Sequence, residues 1–482
     1  MPPYDGVTPR GVGVARRETV LVVLMRMTVI GCGYLGVTHA ACMAELGHEV
    51  MGLDVDAEKI ASLSSGHVPF FEPGLQEVLS RNVAAGRLRF TTSAREAAEF
   101  ATVHFVGVGT PQQRDSQAAD LTFVHAAVDA LMEHISGHHV ILGKSTVPVG
   151  TAERLQRRVT AALARRDGAG EAGPQGRPET TVEVAWNPEF LREGYAVRDT
   201  ICPDRIVLGT AAQQQLPGGG RAEAVVREIY AQALAQEVPF IVTDLATAEL
   251  VKVSANAFLA TKISFINAVA QVCEAAGADV VTLARALGLD DRIGPKFLGA
   301  GLGFGGGCLP KDIRAFMARA GELGAQEAVA LLREVDTINL QQRDHVVRLA
   351  EKACGGSVLG ARITVLGAAF KPNSDDVRDS PALAVAGALL LAGAQVTVFD
   401  PQAMDNARRA YPALSYAPDV EAALRGADCV IVATEWQQFK DLDPRAAAAV
   451  VRRRVVIDGR NALDVPAWQE AGWQVTALGR CV

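Results

Sequence analysis

Cysteine pairs at metal-binding or redox spacing are missing from this chain. Its eight cysteines (32, 42, 202, 273, 308, 354, 429 and 481) never form C-x-x-C. In a chain of 482 residues that excludes a disulfide framework and a zinc site. No metal is expected, and a reducing cytoplasm fits. Histidine is absent beyond His345 and between Glu249 and Asp312, so no histidine base serves that segment. His138 and His139 are adjacent on an expected strand, point to opposite faces and read as structural. No apolar run reaches the length of a membrane span; AVAGALLLAGAQV is short and reads as a buried helix. Net positive charge is also lacking. The net charge of −7 and pI near 5.8 argue against a general nucleic-acid surface, while leaving room for a local basic pocket that takes a small anion.

What remains is an ordinary globular composition, 49% hydrophobic and 21% charged, in a chain long enough for two or three domains. Residues 1–24 read as an appended, disordered extension without a secretory h-region. From Met27 the pattern is MTVI, then Gly31, Gly33 and Gly36 as G-x-G-x-x-G opening a helix, then HEVMGLD ending on Asp54. Strand, glycine turn, helix, strand and terminal acid together form a dinucleotide-binding fingerprint. The carboxylate would accept hydrogen bonds from a ribose diol and repel a 2′-phosphate, so NAD is favoured over NADP.

Further strand runs fall at 101–111, 138–148, 182–190 and 204–209. Their alternation with helices predicts a doubly wound parallel sheet in an α/β fold. Residues 165–181 read as an exposed Gly/Pro-rich loop, and QQQLPGGGR (213–221) as a boundary. Residues 222–353 read as a central helical domain, with long helices over 249–277 and 326–354. Then the opening pattern returns: ITVLGAAF, LLAGAQVTVFD, ADCVIVATEW and RRVVIDGRN echo the first four strands. A second Rossmann-like domain is expected over 354–482, with the first over 25–221. Its first turn carries KPNSDDVRDSP in place of the glycine fingerprint, which points to a different phosphate ligand or to a degenerate repeat.

Several residues carry chemistry. Cys308 ends the glycine-rich GFGGGC, followed by Lys311 and Asp312. A thiol beside a cation can act as a nucleophile, whereas an inert buried cysteine is the bland alternative. Lys252 and Asn256 lie four apart on one face of an otherwise apolar helix, with Lys262 near the same direction. A buried lysine there suits acid–base work or oxyanion stabilisation; a solvated polar stripe is the alternative. NPEFLREG places Glu189 and Glu193 at i and i+4 of an expected helical turn, facing the same way, and KSTVPVG places Ser145 and Thr146 at the carboxyl end of a strand, where such sheets bind ligands.

Taken together, GxGxxG, VGTP, KSTVPVG, NPEFLREG, ELVKVSANAFLATKISFIN, RIGPKFLGAGLGFGGGCLPKD, AAFKPNSDDVRDSP and DGRN resemble the UDP-glucose 6-dehydrogenases, a branch of the nucleotide-sugar dehydrogenases. The resemblance runs from Met25 nearly to the C-terminus. It implies oxidation of UDP-glucose to UDP-glucuronate by two NAD+ in turn, in a protein with an NAD domain, a helical middle and a nucleotide-sugar domain. It implies Cys308 as the nucleophile, forming a thiohemiacetal and then a thioester. Lys252 and Asn256 would stabilise oxyanions, Asp312 would hold Lys252 and a water, and Glu189 and Thr146 would position or deprotonate that water. Glycines before Cys308, Gly305 among them, would let the sugar lie against backbone.

By the same resemblance, Gly31, Gly33, Tyr34, Leu35, Gly36, Asp54, Lys59, Thr110, Glu193, Lys311 and Arg378 belong to the cofactor site. Glu189, Phe190, Leu191, Lys296, Phe297, Lys371 and Arg460 belong to the substrate site, with Arg292 reaching a sugar hydroxyl from a neighbouring subunit. A homodimer or higher homo-oligomer is implied, with the long middle helix at its interface, and neither nucleic acid nor membrane as partner. A GDP-mannose 6-dehydrogenase, a two-electron β-hydroxyacid dehydrogenase and a non-catalytic NAD sensor are the competing readings. The last two leave Cys308 or the second Rossmann-like domain without a task.

Overall fold

The computed structural model describes residues 24–168, 180–211 and 220–481. Residues 1–23 of the N-terminal extension, most of the 165–181 insertion and residues 213–219 of the expected boundary lie outside the described residues. The helix Thr151–Gly168 runs into the segment expected to be loop from 165, and the next strand begins at Thr181.

The first sheet contains β1 (Arg26–Ile30), β2 (Glu49–Leu53), β3 (Leu88–Thr91), β4 (Val103–Val106), β5 (His138–Gly143), β6 (Thr181–Trp186), β7 (Ile206–Thr210) and β8 (Phe240–Asp244). Their spatial order is β3-β2-β1-β4-β5-β6-β7-β8. Pairing is parallel except between β6 and β7, which meet antiparallel at Trp186 and Gly209, so the expected all-parallel sheet is mixed at one junction. Strand β8 joins this sheet beyond residue 221, so the expected domain boundary falls short of the sheet's last strand. The strand interiors are almost continuously apolar because helices cover both faces. His139 joins the core: it meets His104 at 2.8 Å, and His104 meets Thr28 at 2.6 Å. His138 stays at the surface.

The second sheet contains β9 (Arg362–Leu366), β10 (Gln395–Phe399), β11 (Ser415–Tyr416), β12 (Cys429–Val432), β13 (Val455–Asp458) and β14 (Gln474–Ala477). Its order is β11-β10-β9-β12-β13-β14, parallel throughout. Both sheets reverse direction beside their first strand, β1 and β9. At such a switch point the loops diverge and leave a crevice at the carboxyl ends.

Three helices join the sheets: Leu245–Ala276, Leu309–Glu322 and Gln326–Ala353. The first is capped by Asp244, which accepts from Thr247 N at 2.8 Å, and ends at Gly277 with φ +74°. By length and composition alone it could cross a membrane. Its buried Glu249, Lys252 and Asn256 and its packing against the other two helices identify it as a core helix. The molecule is thus two Rossmann-like α/β domains joined by a helical middle.

Candidate active site

The carboxyl ends of both sheets and the central helices enclose a cleft of about 600 Å³. Cys308 opens into it. The residue is the N-cap of helix Leu309–Glu322, whose first turn holds Pro310, and its carbonyl accepts from Asp312 N at 2.9 Å. The surrounding walls desolvate the sulfur even though it faces the cleft. Burial first, then the nearby Asp312 and Glu193, push the thiol up to about 12, with Lys252 pulling the other way. The thiol is therefore protonated at neutral pH until a ligand changes its surroundings.

The glycines before Cys308 are required by protein packing, and Gly303 and Gly305 also line the cleft. A Cβ on Gly303 would meet Asn339 Oδ1 at 2.3 Å, and one on Gly305 would meet the Asp379 carbonyl at 2.4 Å. One on Gly307 would meet the Arg378 guanidinium at 2.2 Å. Gly303 and Gly306 also take positive φ. Asn339 clamps Phe304 from both sides, accepting from its N–H at 2.7 Å and donating to its carbonyl at 3.0 Å.

Asp379 is the second clamp. It holds φ +47° and receives Arg343 at 2.9 Å and Arg314 at 3.4 Å, so the two central helices grip the segment that carries Arg378. Neither Asn339 nor Asp379 announces itself in the sequence, because each acts on a loop dozens of residues away. Asp379→Asn is expected to keep the backbone, since asparagine tolerates this φ, while loosening the loop beside Cys308. A kcat about tenfold lower with an unchanged melting temperature is the expected result. An unchanged kcat would show the clamp to be irrelevant to catalysis.

Lys252 and Asn256 share one helical face and both line the cleft, as their spacing requires. Lys252 pairs with Glu189 at 2.8 Å, the two side chains being 7% and 12% exposed. Burial alone would lower the Lys252 pKa, but the Glu189 and Asp312 carboxylates more than compensate, and the ammonium persists. Asp312 does not hold Lys252, contrary to expectation. Its carboxylate accepts from Asn256 at 2.6 Å and from Lys311 at 2.5 Å. Lys311 also reaches Thr110 at 3.4 Å, and Thr110 donates to the Thr146 carbonyl at 2.8 Å. Thr146 and Ser145 line the cleft nearby. Lys262 points elsewhere, bonding the Ile293 carbonyl at 3.0 Å.

Glu189 and Glu193 do not lie on a helical turn. Residues 187–194 form an irregular loop after β6, and both carboxylates reach the cleft from it. Glu189 also accepts from Leu191 N at 2.6 Å. Burial, helped by Asp376, pushes the Glu193 carboxyl up to about 7 against the pull of Lys371 and Arg378. Leu191 lines the cleft, while Phe190 turns to its rear.

At the first sheet's switch point the helix Tyr34–Glu45 begins at Gly33 with no side-chain cap, and nothing lies within 4 Å of a Cβ placed there. Gly31 has φ +93°, and a Cβ on Gly36 would strike the Gly31 carbonyl at 1.7 Å. Asp54 accepts from Cys32 N at 2.8 Å, Asp56 N at 3.0 Å and Lys59 Nζ at 3.0 Å. These bonds outweigh its burial and hold it below the usual carboxylate range. An open helix N-terminus beside an ionised carboxylate fits a dinucleotide with a free ribose diol. Tyr34 and Leu35 line the same crevice, and Tyr34 bonds the buried Glu72.

The second sheet has closed its equivalent crevice. Asp400, at the end of β10, accepts from Ala368 N (2.8 Å), Ala369 N (3.0 Å) and the Trp436 indole (3.0 Å). Its acceptor capacity is spent inside the protein, so no ribose can use it. The 371–380 insertion instead projects into the shared cleft, bringing Lys371 and Arg378. Lys371 makes no hydrogen bond or ion pair among the described residues and lies 5.2 Å from the Phe370 ring centre. Arg378 is held by Asp376 at 2.6 Å and approaches Glu193 at 3.6 Å.

Arg460 lines the cleft but spends donors on the Ala433 and Gly303 carbonyls, both at 2.9 Å. It therefore ties the second sheet to the loop before Cys308. Phe297, with φ +64°, borders the cleft. Arg292 and Lys296 do not join it within one chain. Arg292 is 88% exposed and bonded to Asp290, and Lys296 is at the surface.

Comparisons with known proteins agree with this division. Three models of the UDP-glucose/GDP-mannose dehydrogenase family match in chain order: the NAD binding domain over residues 25–234, the central domain over 246–341 and the UDP binding domain over 364–465. The chain is 40% identical to a UDP-glucose 6-dehydrogenase of Rhizobium meliloti over 456 residues, covering 95% of this chain and 100% of that protein. It is 40% identical to the UDP-glucose 6-dehydrogenase TuaD of Bacillus subtilis over 458 residues, covering 95% and 94%. The solved structure of a UDP-glucose dehydrogenase from the archaeon Pyrobaculum islandicum is similar with a TM-score of 0.82 at 38% identity, covering 97% and 100%.

Proposed function

Because the chain belongs to the UDP-glucose/GDP-mannose dehydrogenase family, we propose that it oxidises the C6 alcohol of UDP-glucose to the carboxylate of UDP-glucuronate through a covalent bond to Cys308. The observation that carries this reading is the position of Cys308, open to the cleft common to both sheets, with Lys252 and Asn256 among its lining. Gly33, Tyr34, Leu35 and Asp54 would hold NAD+, which when bound supplies the two-electron acceptor for each of two oxidations.

The chain's own residues would do the rest. Lys252, fixed by Glu189, stabilises negative charge on the C6 oxygen as the alcohol gives its proton to water in the cleft. In this first two-electron oxidation a C6 hydride leaves to give the aldehyde. Cys308 adds to the resulting aldehyde, its thiol proton passing to the oxygen beside Lys252. A second two-electron oxidation leaves a thioester. Water attacks that carbonyl, the C–S bond breaks, and the thiolate regains a proton. Sulfur suits both halves because it is a good nucleophile and a good leaving group. Asn256, Asp312 and Lys311 would orient the water, with Thr146 and Glu189 on its other side. Lys371, without a partner among the described residues, would meet the UDP pyrophosphate, with Arg460 holding the adjoining loop and Phe297 bordering the base.

The 25–221, 222–353 and 354–482 divisions would serve cofactor, assembly and nucleotide sugar in turn, with β8 assigned to the first. Phe258, Phe265 and Val272 lie exposed at seven-residue steps on the long helix. That stripe supports pairing with a second copy, from which Arg292 would reach the sugar. A cytoplasmic location suits the free thiols.

The yield of NADH per UDP-glucose tests the reaction. Two per sugar is expected. One per sugar, or turnover of GDP-mannose in preference to UDP-glucose, would overturn it.

A further inference from the structure

Behind the loop Asn187–Leu191, away from Cys308, lies a smaller cavity of about 50 Å³. Leu35, Glu189 and Leu191 line both this cavity and the large cleft, so the loop is the partition between them. Lys144 faces it. This residue follows β5 and is 7% exposed. Its Nζ donates to Tyr230 Oη at 3.0 Å and lies 5.8 and 5.6 Å from the ring centres of Phe105 and Tyr230. The Tyr230 hydroxyl in turn donates a hydrogen bond to Asn187 Oδ1 at 3.3 Å. No carboxylate among the described residues pairs with Lys144, and two of its three N–H donors are left over.

A second buried group faces the same space. His39 is 2% exposed and its Nε2 has no hydrogen-bond partner among the described residues. The charges around the cavity do not supply the missing anion. Glu189 is committed to Lys252 and Asp199 to Arg192. At the mouth, Arg205 stacks on the Phe190 ring at 3.9 Å, beside the exposed Asp204. A buried ammonium without counter-charge is strongly disfavoured, and rings offset it only in part. The space exceeds the roughly 10–15 Å³ that one water needs and is far smaller than a sugar nucleotide.

We propose that this cavity binds a small monovalent anion of halide or formate size, held by Lys144 with Arg205 at its mouth. The anion supports the Asn187–Leu191 loop from behind, on the side opposite the Glu189–Lys252 pair. Such a site is independent of the reaction assigned above, and binding can be measured without substrate or cofactor.

Chloride is the probe, exchanged for gluconate at constant ionic strength on the full-length protein. Chloride NMR line broadening is expected to saturate and to be displaced by formate. The melting temperature is expected to be higher in chloride than in gluconate. Lys144→Met should abolish both effects, and Arg205→Gln should weaken chloride binding about fivefold. Lys371→Ala, in the large cleft, should leave them unchanged. If Lys144→Met does not fold, Arg205→Gln carries the comparison. Absence of saturable broadening in the unchanged protein would mean that water fills the cavity. Persistence in both Lys144→Met and Arg205→Gln, or loss only in Lys371→Ala, would place the anion elsewhere. Each of these results overturns the proposal.

Discussion

Cys308→Ser is expected to bind UDP-glucose within a few-fold of the unchanged protein and to form UDP-glucuronate at least about a thousandfold more slowly. Binding survives because the groups assigned to the nucleotide, Lys371 foremost, lie outside the substitution. Acid formation fails because an oxygen nucleophile of far higher pKa replaces sulfur and makes a poorer leaving group. Thermal shift with UDP-glucose measures the first quantity and single-turnover product analysis the second. Full turnover by the variant would remove the covalent route. The same thiol gives a pH signature in the ligand-free protein. With its pKa pushed up to about 12 by burial and by Asp312 and Glu193, thiolate rises about tenfold per pH unit through the neutral and mildly alkaline range. Iodoacetamide labelling of Cys308, followed by peptide mapping to separate it from the exposed Cys202 and Cys481, should rise in step. Fast, pH-independent labelling near neutrality would mean that the thiolate is already formed.

Lys252→Ala should lower kcat about 100- to 1000-fold while changing the KM for UDP-glucose little, since the ammonium is asked to stabilise charge that develops only during reaction. It should also destabilise the fold by about 3 kcal/mol, because Glu189 would remain buried without its partner. Stability and catalysis can be separated by a second change. Lys252→Ala combined with Glu189→Gln should recover most of the lost melting temperature and none of the activity. If the double variant also recovers kcat, Lys252 is a structural counter-ion and the oxyanion has another partner. If the single variant loses affinity and not kcat, Lys252 acts in binding.

The sequence resolves the architecture more fully than the contacts. Strands β1, β2, β4 to β7, β9, β10, β12 and β13 are legible as apolar runs punctuated by glycine and acid. Strands β3 and β8 escape notice: β3 is four residues long with buried ends and a more exposed middle, too short to show a period, and β8 carries exposed Ile241 and Val242 at the sheet edge. Strand β11 is two residues long, too short for any periodicity. The helix expected under Glu189 and Glu193 is absent because those carboxylates are held by distant groups rather than by helical spacing. Glu189 meets a lysine 63 residues away.

By itself the sequence determined the two Rossmann-like domains, the open glycine turn before Tyr34, the face shared by Lys252 and Asn256, and the cysteine at the end of a glycine-rich loop. Those follow from local periodicity and from backbone angles that only certain residues adopt. Tertiary structure alone decided which charges pair, that Asp312 answers Asn256 and Lys311 rather than Lys252, that Asp400 is consumed by its own domain, and that Lys144 lies buried beside a small cavity. Hydrogen bonds and ion pairs act over a few ångströms, so partners far apart in the chain are chosen only when the packed elements bring them together.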